Sequence, residues 1–297
     1  MGKTDLCLSL AGFLHSPIIS ADSRQMYRDI PVGTAAPTPE QLKQVQHFFI
    51  GNLALDQYYS AATYEEECIG LLDTLFESHD TLLMTGGSMM YIDAICKGID
   101  DIPTISEDIR QEIRERYERV GLDAMAAELK LLDPEYWAQV DLKNPKRIIH
   151  ALEICYMSGG TYTALRKGIR KKRPFRIVKI ALNRDREELF SRINSRVDAM
   201  MANGLWEEAE KVYPFRHLNS LNTVGFKELF DLMDGALTPE GKPQTKEYAL
   251  DKIRRNTRVY AKKQITWFKR DPEVKWFHAD AHQEIMDHIL GSIGQKE

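Results

Sequence analysis

The chain has 297 residues, 43% of them hydrophobic and 28% charged, with a formal net charge of −4. Such a composition fills a sizeable core, and the length suggests about two domains; a collagen-like, mucin-like or mostly disordered chain is excluded. No apolar run approaches the roughly 18 residues needed to cross a bilayer. The four cysteines, Cys7, Cys68, Cys96 and Cys155, form no CxxC pair, which fits a reduced cytoplasmic protein better than a zinc or disulfide scaffold.

The first elements read as α/β. Lys3 followed by Leu6–Leu14 loosely mimics a signal peptide. Asp5 interrupts the basic end, however, and Leu6, Leu10, Phe13 and Leu14 follow helical spacing, so Thr4–Leu14 is read as an amphipathic helix. Pro17–Asp22 is a short buried strand ending in an acid. Cys68, Leu71, Leu72 and Leu75 form the next helical stripe. Thr81–Thr85 is a second buried strand, closed by Gly86 and Gly87. Apolar strands alternating with helices imply a parallel sheet covered on both faces.

Beyond Pro103 the pattern turns helical and charge-rich as far as Lys167. Arg176–Leu182 restores a strand. Long helices follow at Glu187–Val212 and Tyr248–Phe268, and Lys275–His278 reads as a last short strand. The expectation is an α/β core at 1–104 and 172–297, interrupted by a helical insertion at 105–171.

Basic charge is clustered although the protein is acidic. Arg166–Arg176 holds seven Lys or Arg, and Lys252–Arg270 holds eight with no acid. One such run is an ordinary solvated face; two favour a polyanion partner.

Several residues suggest chemistry. Gly2-Lys3-Thr4 before a helix matches the second half of a P-loop, in which amides and Lys hold phosphate and the Thr hydroxyl binds Mg²⁺. It equally matches a plain helix start. Asp22 ends a strand, where parallel sheets place ligand groups, and it also suits an N-cap. Gly86-Gly87-Ser88 is a tight turn or a close approach to substrate. Arg192 and Arg196 lie four apart, fit for a diphosphate or for surface pairing with Glu187 and Glu188. Lys262-Lys263-Gln264-Ile265-Thr266-Trp267 mixes phosphate-binding, amide and stacking groups, although Trp267 also fits a core.

In this order and spacing the segments resemble one family, the bacterial tRNA dimethylallyltransferases. Ile19–Tyr27 resembles its strand end with an Asp, and Val32–Thr38 its IGTAKPT-type loop. Gly86–Tyr91 is similar to its GGTGLY-type turn, and Asn144–Glu153 to its DPQRLIRALE-type helix. Asn222–Lys227 resembles its VGY segment, and Lys262–Phe268 its KRQITWL-type signature. The likeness spans essentially the whole chain.

The resemblance implies a P-loop NTPase-like parallel sheet flanked by helices, with an all-helical insertion domain that grips the tRNA anticodon stem. It implies transfer of dimethylallyl from dimethylallyl diphosphate to N6 of the adenosine beside the anticodon, with release of diphosphate. Asp22 would take or orient the N6 proton. Gly2, Lys3, Thr4, Arg192 and Arg196 would hold the diphosphate, with Lys3, Thr4 and Arg196 also catalytic and Mg²⁺ at Thr4. The tRNA-facing positions carried over are Asp22, Ser23, Arg24, Gln25, Ser88, Arg110, Lys146, Arg147, Ile148, Ile149, His150, Asn222, Thr223, Val224, Gly225, Phe226, Lys227, Lys262, Lys263, Gln264, Thr266, Trp267 and Lys269. A cytoplasmic monomer without membrane contact is expected.

Departures from the family pattern accompany the likeness. Ala36 stands for a usual Lys, Ser88 for Thr, His150 and Asn222 for Arg, Lys146 for Gln and Lys227 for Arg. The family's GPTxxGKT motif follows a buried strand, and this sequence opens inside that motif; a start codon assigned too late is the expectation. Two rivals remain at this stage. A P-loop small-molecule kinase would turn over nucleoside triphosphate without tRNA, and a tRNA-binding protein without activity would bind tRNA and transfer nothing.

Overall fold

The computed structural model describes residues 3–168 and 170–294. The chain folds as two compact units, Met1–Cys96 with Arg173–Glu297, and Lys97–Lys172.

The first unit opens with α1 (Lys3–Leu14), β1 (Ile18–Ala21), α2 (Pro39–Gln44), β2 (His47–Phe48), α3 (Ala61–Phe76), β3 (Leu83–Gly86) and α4 (Met89–Lys97). The second unit holds α5 (Glu107–Leu132), α6 (Pro134–Gln139), α7 (Pro145–Ser158) and α8 (Tyr162–Leu165). The first unit then resumes with β4 (Ile180–Asn183), α9 (Arg186–Ala202), α10 (Leu205–Val212), α11 (Phe226–Met233), α12 (Lys246–Phe268), β5 (Lys275–His278) and α13 (His282–Gly294).

Every strand pairing in the two sheets is parallel, and helices flank them. The order is β2-β1-β3 in one sheet and β4-β5 in the other. β1 has neighbours on both sides, and all four of its residues are buried, as a strand covered on every side requires. Its Ser20 carbonyl accepts from the Tyr64 hydroxyl at 2.9 Å, and Tyr64 stacks on Tyr91 with ring centroids 4.3 Å apart. Leu6 and Leu10 of α1 pack with Ile285 and Ile289 of α13 beside Leu83, Ile180 and Leu182.

Three expectations change here. The sequence pattern implies one continuous sheet, whereas the described strands form two. β3 reads as a buried strand, but its residues are only half-buried, and among the described residues it pairs with β1 alone. The long helix expected at Glu187–Val212 is two helices: Gly204 at φ 93 starts α10, a left-handed conformation that glycine adopts without steric penalty.

In the second unit Ser106 caps α5 by accepting from Ile109 N. Gly121, at φ 77, interrupts the helical dihedrals of α5, so its apolar face turns part-way along. Ile113, Met125 and Leu129 meet Ile148, Ala151 and Leu152 of α7 in a closed core. Asp133 is fully buried and joins three elements. Its carboxylate accepts from Tyr136 N at 2.9 Å, Thr163 N at 2.8 Å and Thr163 Oγ1 at 2.8 Å.

Removing that carboxylate strands buried donors. Asp133→Ala is expected to destabilise the second unit by about 2–4 kcal/mol, read by chemical denaturation. A loss below about 0.5 kcal/mol would show that water replaces the carboxylate without penalty.

Candidate active site

Parallel strands deliver their carboxyl ends to one edge, and here those ends carry polar residues. The register sets Ala21 opposite Gly86, so Asp22 follows β1 beside the Gly86-Gly87-Ser88 turn that follows β3. A Cβ on Gly86 would lie 2.2 Å from the Ala21 carbonyl oxygen, so only glycine permits this approach.

The turn is tied down from several elements. Ser88 Oγ accepts from Ser23 N at 2.8 Å and donates to Ser23 Oγ at 3.0 Å. Ser88 N donates to the Ala21 carbonyl at 3.1 Å. Lys3 Nζ, at the head of α1, donates to the Gly86 carbonyl at 3.2 Å. From α12, Gln264 Nε2 and Tyr260 Oη donate to the Gly87 carbonyl at 2.7 and 3.2 Å. Asp22 Oδ1 accepts from Arg24 N at 3.0 Å and Gln25 N at 3.4 Å, which fixes the carboxylate's direction.

Lys3, Asp22, Ser88, Arg196, Thr223 and Gln264 all line one cavity of about 1720 Å³. Among these six, Lys3 and Arg196 bring cations and Asp22 a carboxylate. Desolvation pulls the Lys3 ammonium below its usual range; the Asp22 carboxylate opposes that shift, and Arg196 adds to it. Arg196 remains accessible from the cavity, yet the surrounding protein pulls its guanidinium down, again against Asp22. An open cavity edged by two cations, a helix N-terminus and an oriented carboxylate can bind a phosphorylated group and receive a proton beside it.

The expected site residues divide. Asp22, Ser23, Arg24, Ser88, Asn222, Thr223, Val224, Gly225, Lys227, Gln264, Lys3 and Arg196 line the cavity. Thr4 is exposed in the first turn of α1, and Gly2 lies outside the described residues. Arg192 does not reach the cavity: its Nε donates to Glu188 at 3.1 Å, the surface pairing, while Arg196 one turn on faces inward.

Several residues expected to face RNA make contacts within the protein. Phe226 is fully buried in the first unit's core, and Ile148 in the second unit's, with Ile149 packed beside it. Trp267 donates its indole N–H to Asp93 at 2.8 Å. Arg24 bonds the carbonyls of Asn219 and Ser220, and Gln25 those of Thr34 and Ala35. Thr266 bonds the Lys262 carbonyl within α12. Lys262, Lys263 and Lys269 are exposed on α12. In the second unit, Lys146, Arg147 and His150 are exposed on α7, and Arg110 lies on α5, half-buried.

Tyr260 escaped the sequence reading. Its signal was available: it stands four residues before Gln264, so both share a face of α12. Glu208 escaped too; it holds the loop after Ile30 by accepting from Val32 N at 2.8 Å and Gly33 N at 2.7 Å. No periodicity marks a carboxylate that reaches across 176 residues to a backbone amide.

The sequence model of the IPP transferase family matches residues 25–271. The chain is 60% identical over 289 residues to tRNA dimethylallyltransferase 1 of Phocaeicola vulgatus, covering 97% of this chain and 94% of that protein. It is 56% identical over 293 residues to tRNA dimethylallyltransferase 1 of Bacteroides fragilis, covering 99% and 95%. Among solved structures it is similar to the full-length tRNA isopentenylpyrophosphate transferase of Bacillus halodurans, with a TM-score of 0.69, 32% identity, and coverage of 98% and 93%. A eukaryotic dimethylallyltransferase acting on tRNA shares the fold, with a TM-score of 0.79 at 20% identity over 100% of this chain and 78% of that one.

The Gly87 carbonyl gives a direct test of how the turn is held. Gln264→Met removes one donor, and is expected to destabilise the protein by about 1 kcal/mol and to speed hydrogen exchange at Ser88 N. Unchanged exchange there would show that Lys3 and Tyr260 hold the turn without Gln264.

Proposed function

The chain belongs to the IPP transferase family, and from that membership we propose that it transfers a dimethylallyl group from dimethylallyl diphosphate to N6 of the adenosine beside the anticodon of tRNA. The observation that carries the proposal is the convergence of Asp22, Lys3 and Arg196 on one cavity at the strand ends.

The reaction needs little from the protein besides position and charge. The N6 lone pair attacks C1 of the dimethylallyl group, the C1–O bond breaks, and its electrons leave with diphosphate. N6 must then lose one proton. Asp22, oriented by two backbone amides, accepts it. Lys3 and Arg196 stabilise the charge that grows on the leaving diphosphate, where it counts most for rate. The exocyclic amine is a weak nucleophile, so holding it in line with C1 supplies much of the remainder.

A divalent ion fits this arrangement in one way. Among the described residues no cluster of three or more His, Cys, Asp or Glu could cage a metal. Thr4, the expected Mg²⁺ ligand, is exposed and is not among the residues that line the cavity; within the cavity the Asp22 carboxylate would meet Mg²⁺, with diphosphate and water completing its shell. When bound, such an ion would neutralise part of the diphosphate charge.

The adenosine has to leave its stack to enter the cavity. Phosphate contacts would come from exposed basic groups, and the α12 basic run sorts itself accordingly. Its first part is paired within the protein: Lys252 with Asp231 at 2.8 Å, Arg254 with Asp198 at 2.6 Å, and Arg258 with Asn194 at 2.7 Å. Lys262, Lys263, Lys269 and Arg270 at its end are exposed, which suits a nucleic-acid backbone. On the helical unit Lys146, Arg147 and His150 offer a similar exposed set to an anticodon stem. Among the described residues no helix is long and apolar enough to cross a membrane.

Label transfer from dimethylallyl diphosphate to unmodified tRNA tests the function; labelled tRNA is expected, and tRNA that binds to saturation without label would leave a binding protein. The same assay carries a pH prediction. Lys3 in the unliganded enzyme loses its proton below the ordinary 10.5. Affinity for the diphosphate should therefore be full below the depressed Lys3 pKa and decline as pH rises through it. In Lys3→Arg the decline should move to higher pH, since a guanidinium keeps its charge there. An alkaline limb identical in both enzymes would remove Lys3 from the diphosphate.

A further inference from the structure

Between β1 and α2 the chain makes a run of turns, and residues 31–36 belong to no helix or strand. Three bonds close this loop from within: Thr34 N donates to the Ile30 carbonyl at 3.3 Å, Ala35 N to Val32 at 3.0 Å, and Ala36 N to Pro31 at 2.9 Å. The Val32 and Gly33 amides take no part in those turns, and backbone donors need partners. Glu208 of α10 serves both, with Oε2 accepting from Val32 N at 2.8 Å and Oε1 from Gly33 N at 2.7 Å. A carboxylate has one oxygen for each amide, whereas glutamine would set an N–H against one of them. Burial pushes the Glu208 carboxyl above its usual range, and the two amides and Lys211 pull it back. The helix that carries it is fixed in turn, because Leu205, Ala209 and Val212 seat α10 in the core.

The loop is gripped elsewhere too. A Cβ on Gly33 would lie 2.4 Å from the ring of Phe226, a fully buried core residue. Gln25 Nε2 donates to the Thr34 carbonyl at 3.3 Å and to the Ala35 carbonyl at 3.0 Å. Ala35 stands at φ 46, the left-handed region that crowds any residue with a Cβ. Such a conformation persists where the surroundings hold it. The same Gln25 donates its backbone N–H to Asp22 Oδ1 at 3.4 Å. Gly33 and Thr34 line the cavity beside Asp22, and Glu208 is not among its lining residues.

We propose that Glu208 is a positioning residue for the transfer: it holds loop 31–36 so that Gln25 keeps the Asp22 carboxylate aimed at the amine, and it touches neither substrate. This rests on the reaction proposed above. The path runs from Glu208 through Val32 and Gly33 to Thr34 and Ala35, then through Gln25 to Asp22, and every link is a hydrogen bond or the chain itself. It does not pass through α1 or α9, which carry Lys3 and Arg196. Loss of Glu208 therefore slows the chemical step, where a small misplacement is costly, and spares the diphosphate site.

Single-turnover transfer to tRNA, calorimetric binding of inorganic diphosphate, and amide exchange at Val32 and Gly33 are compared in the unaltered protein, Glu208→Gln, Gln25→Ala and the double variant. Glu210→Gln, at an exposed position of the same helix, is the control and should match the unaltered protein. Glu208→Gln is expected to speed exchange at both amides about tenfold or more. It should slow transfer by about tenfold or more and leave diphosphate affinity within about twofold. Because both side chains grip one loop, the double variant should be about as slow as the slower single variant; independent effects would multiply. The inference fails if Glu208→Gln transfers as fast as an active unaltered protein, if the two losses multiply, or if diphosphate binding falls together with transfer. Glu208→Asp, which keeps the charge and draws it back from the loop, gives the same comparison should the glutamine variant not fold. An unaltered protein that binds tRNA and diphosphate yet transfers nothing overturns the reaction itself, and this inference with it.

Discussion

The close parallel approach of β1 to β3 is the constraint from which the site follows. Ala21 and Gly86 face each other so tightly that the Gly86 position has no room for a Cβ. The candidate-site residues at this edge lie one or two positions beyond that pair: Asp22 and Ser23 after β1, Gly87 and Ser88 after β3. The serine hydroxyls then bond each other, and the two strand ends become one rigid platform. Helices add what the strands cannot. α1 brings an ammonium, α9 a guanidinium, and α12 an amide and a phenol that clasp the turn.

Charge is distributed in the same economical manner. Much of the basic sequence is neutralised inside the protein: Arg173 pairs with Glu65 at 2.6 Å, and Arg184 with Asp280 and Glu188. In the second unit Lys171 pairs with Asp101 at 2.9 Å, and Arg166 lies over the rings of Tyr136 and Tyr162. A run of seven basic residues therefore overstates the charge available to a polyanion. The exposed end of α12 and the exposed turn of α7 are the parts that fit a phosphate backbone. This division explains how a protein of net charge −4 can suit nucleic acid.

Strand ends and helix stripes were legible in the sequence because they depend on local periodicity. Ile18–Ala21, α1, α12 and Lys275–His278 stand close to where the apolar spacing puts them. α13 was equally periodic, with Ile285, Ile289 and Ile293 on one face, and was passed over. Side-chain direction was the harder part. Gln264 and Trp267 have the chemistry of RNA contacts, but helical phase turns them toward Gly87 and Asp93. Ile148 and Phe226 sit within likeness to a family motif, and there they are core. Arg192 and Arg196 are four apart, yet the nearer Glu188 captures one and the cavity the other. Such outcomes are set by tertiary partners that spacing cannot name.

In the proposed reaction Asp22 serves the amine while Lys3 and Arg196 serve the diphosphate. Asp22→Asn separates the two roles, because it removes a negative charge beside both cations and keeps the side-chain shape. Single-turnover transfer to tRNA, measured beside calorimetric binding of inorganic diphosphate, is the most direct test. The account predicts that transfer falls by about a hundredfold or more while diphosphate binds at least as tightly as to the unaltered protein. Near-normal transfer, or loss of diphosphate binding together with transfer, would contradict it.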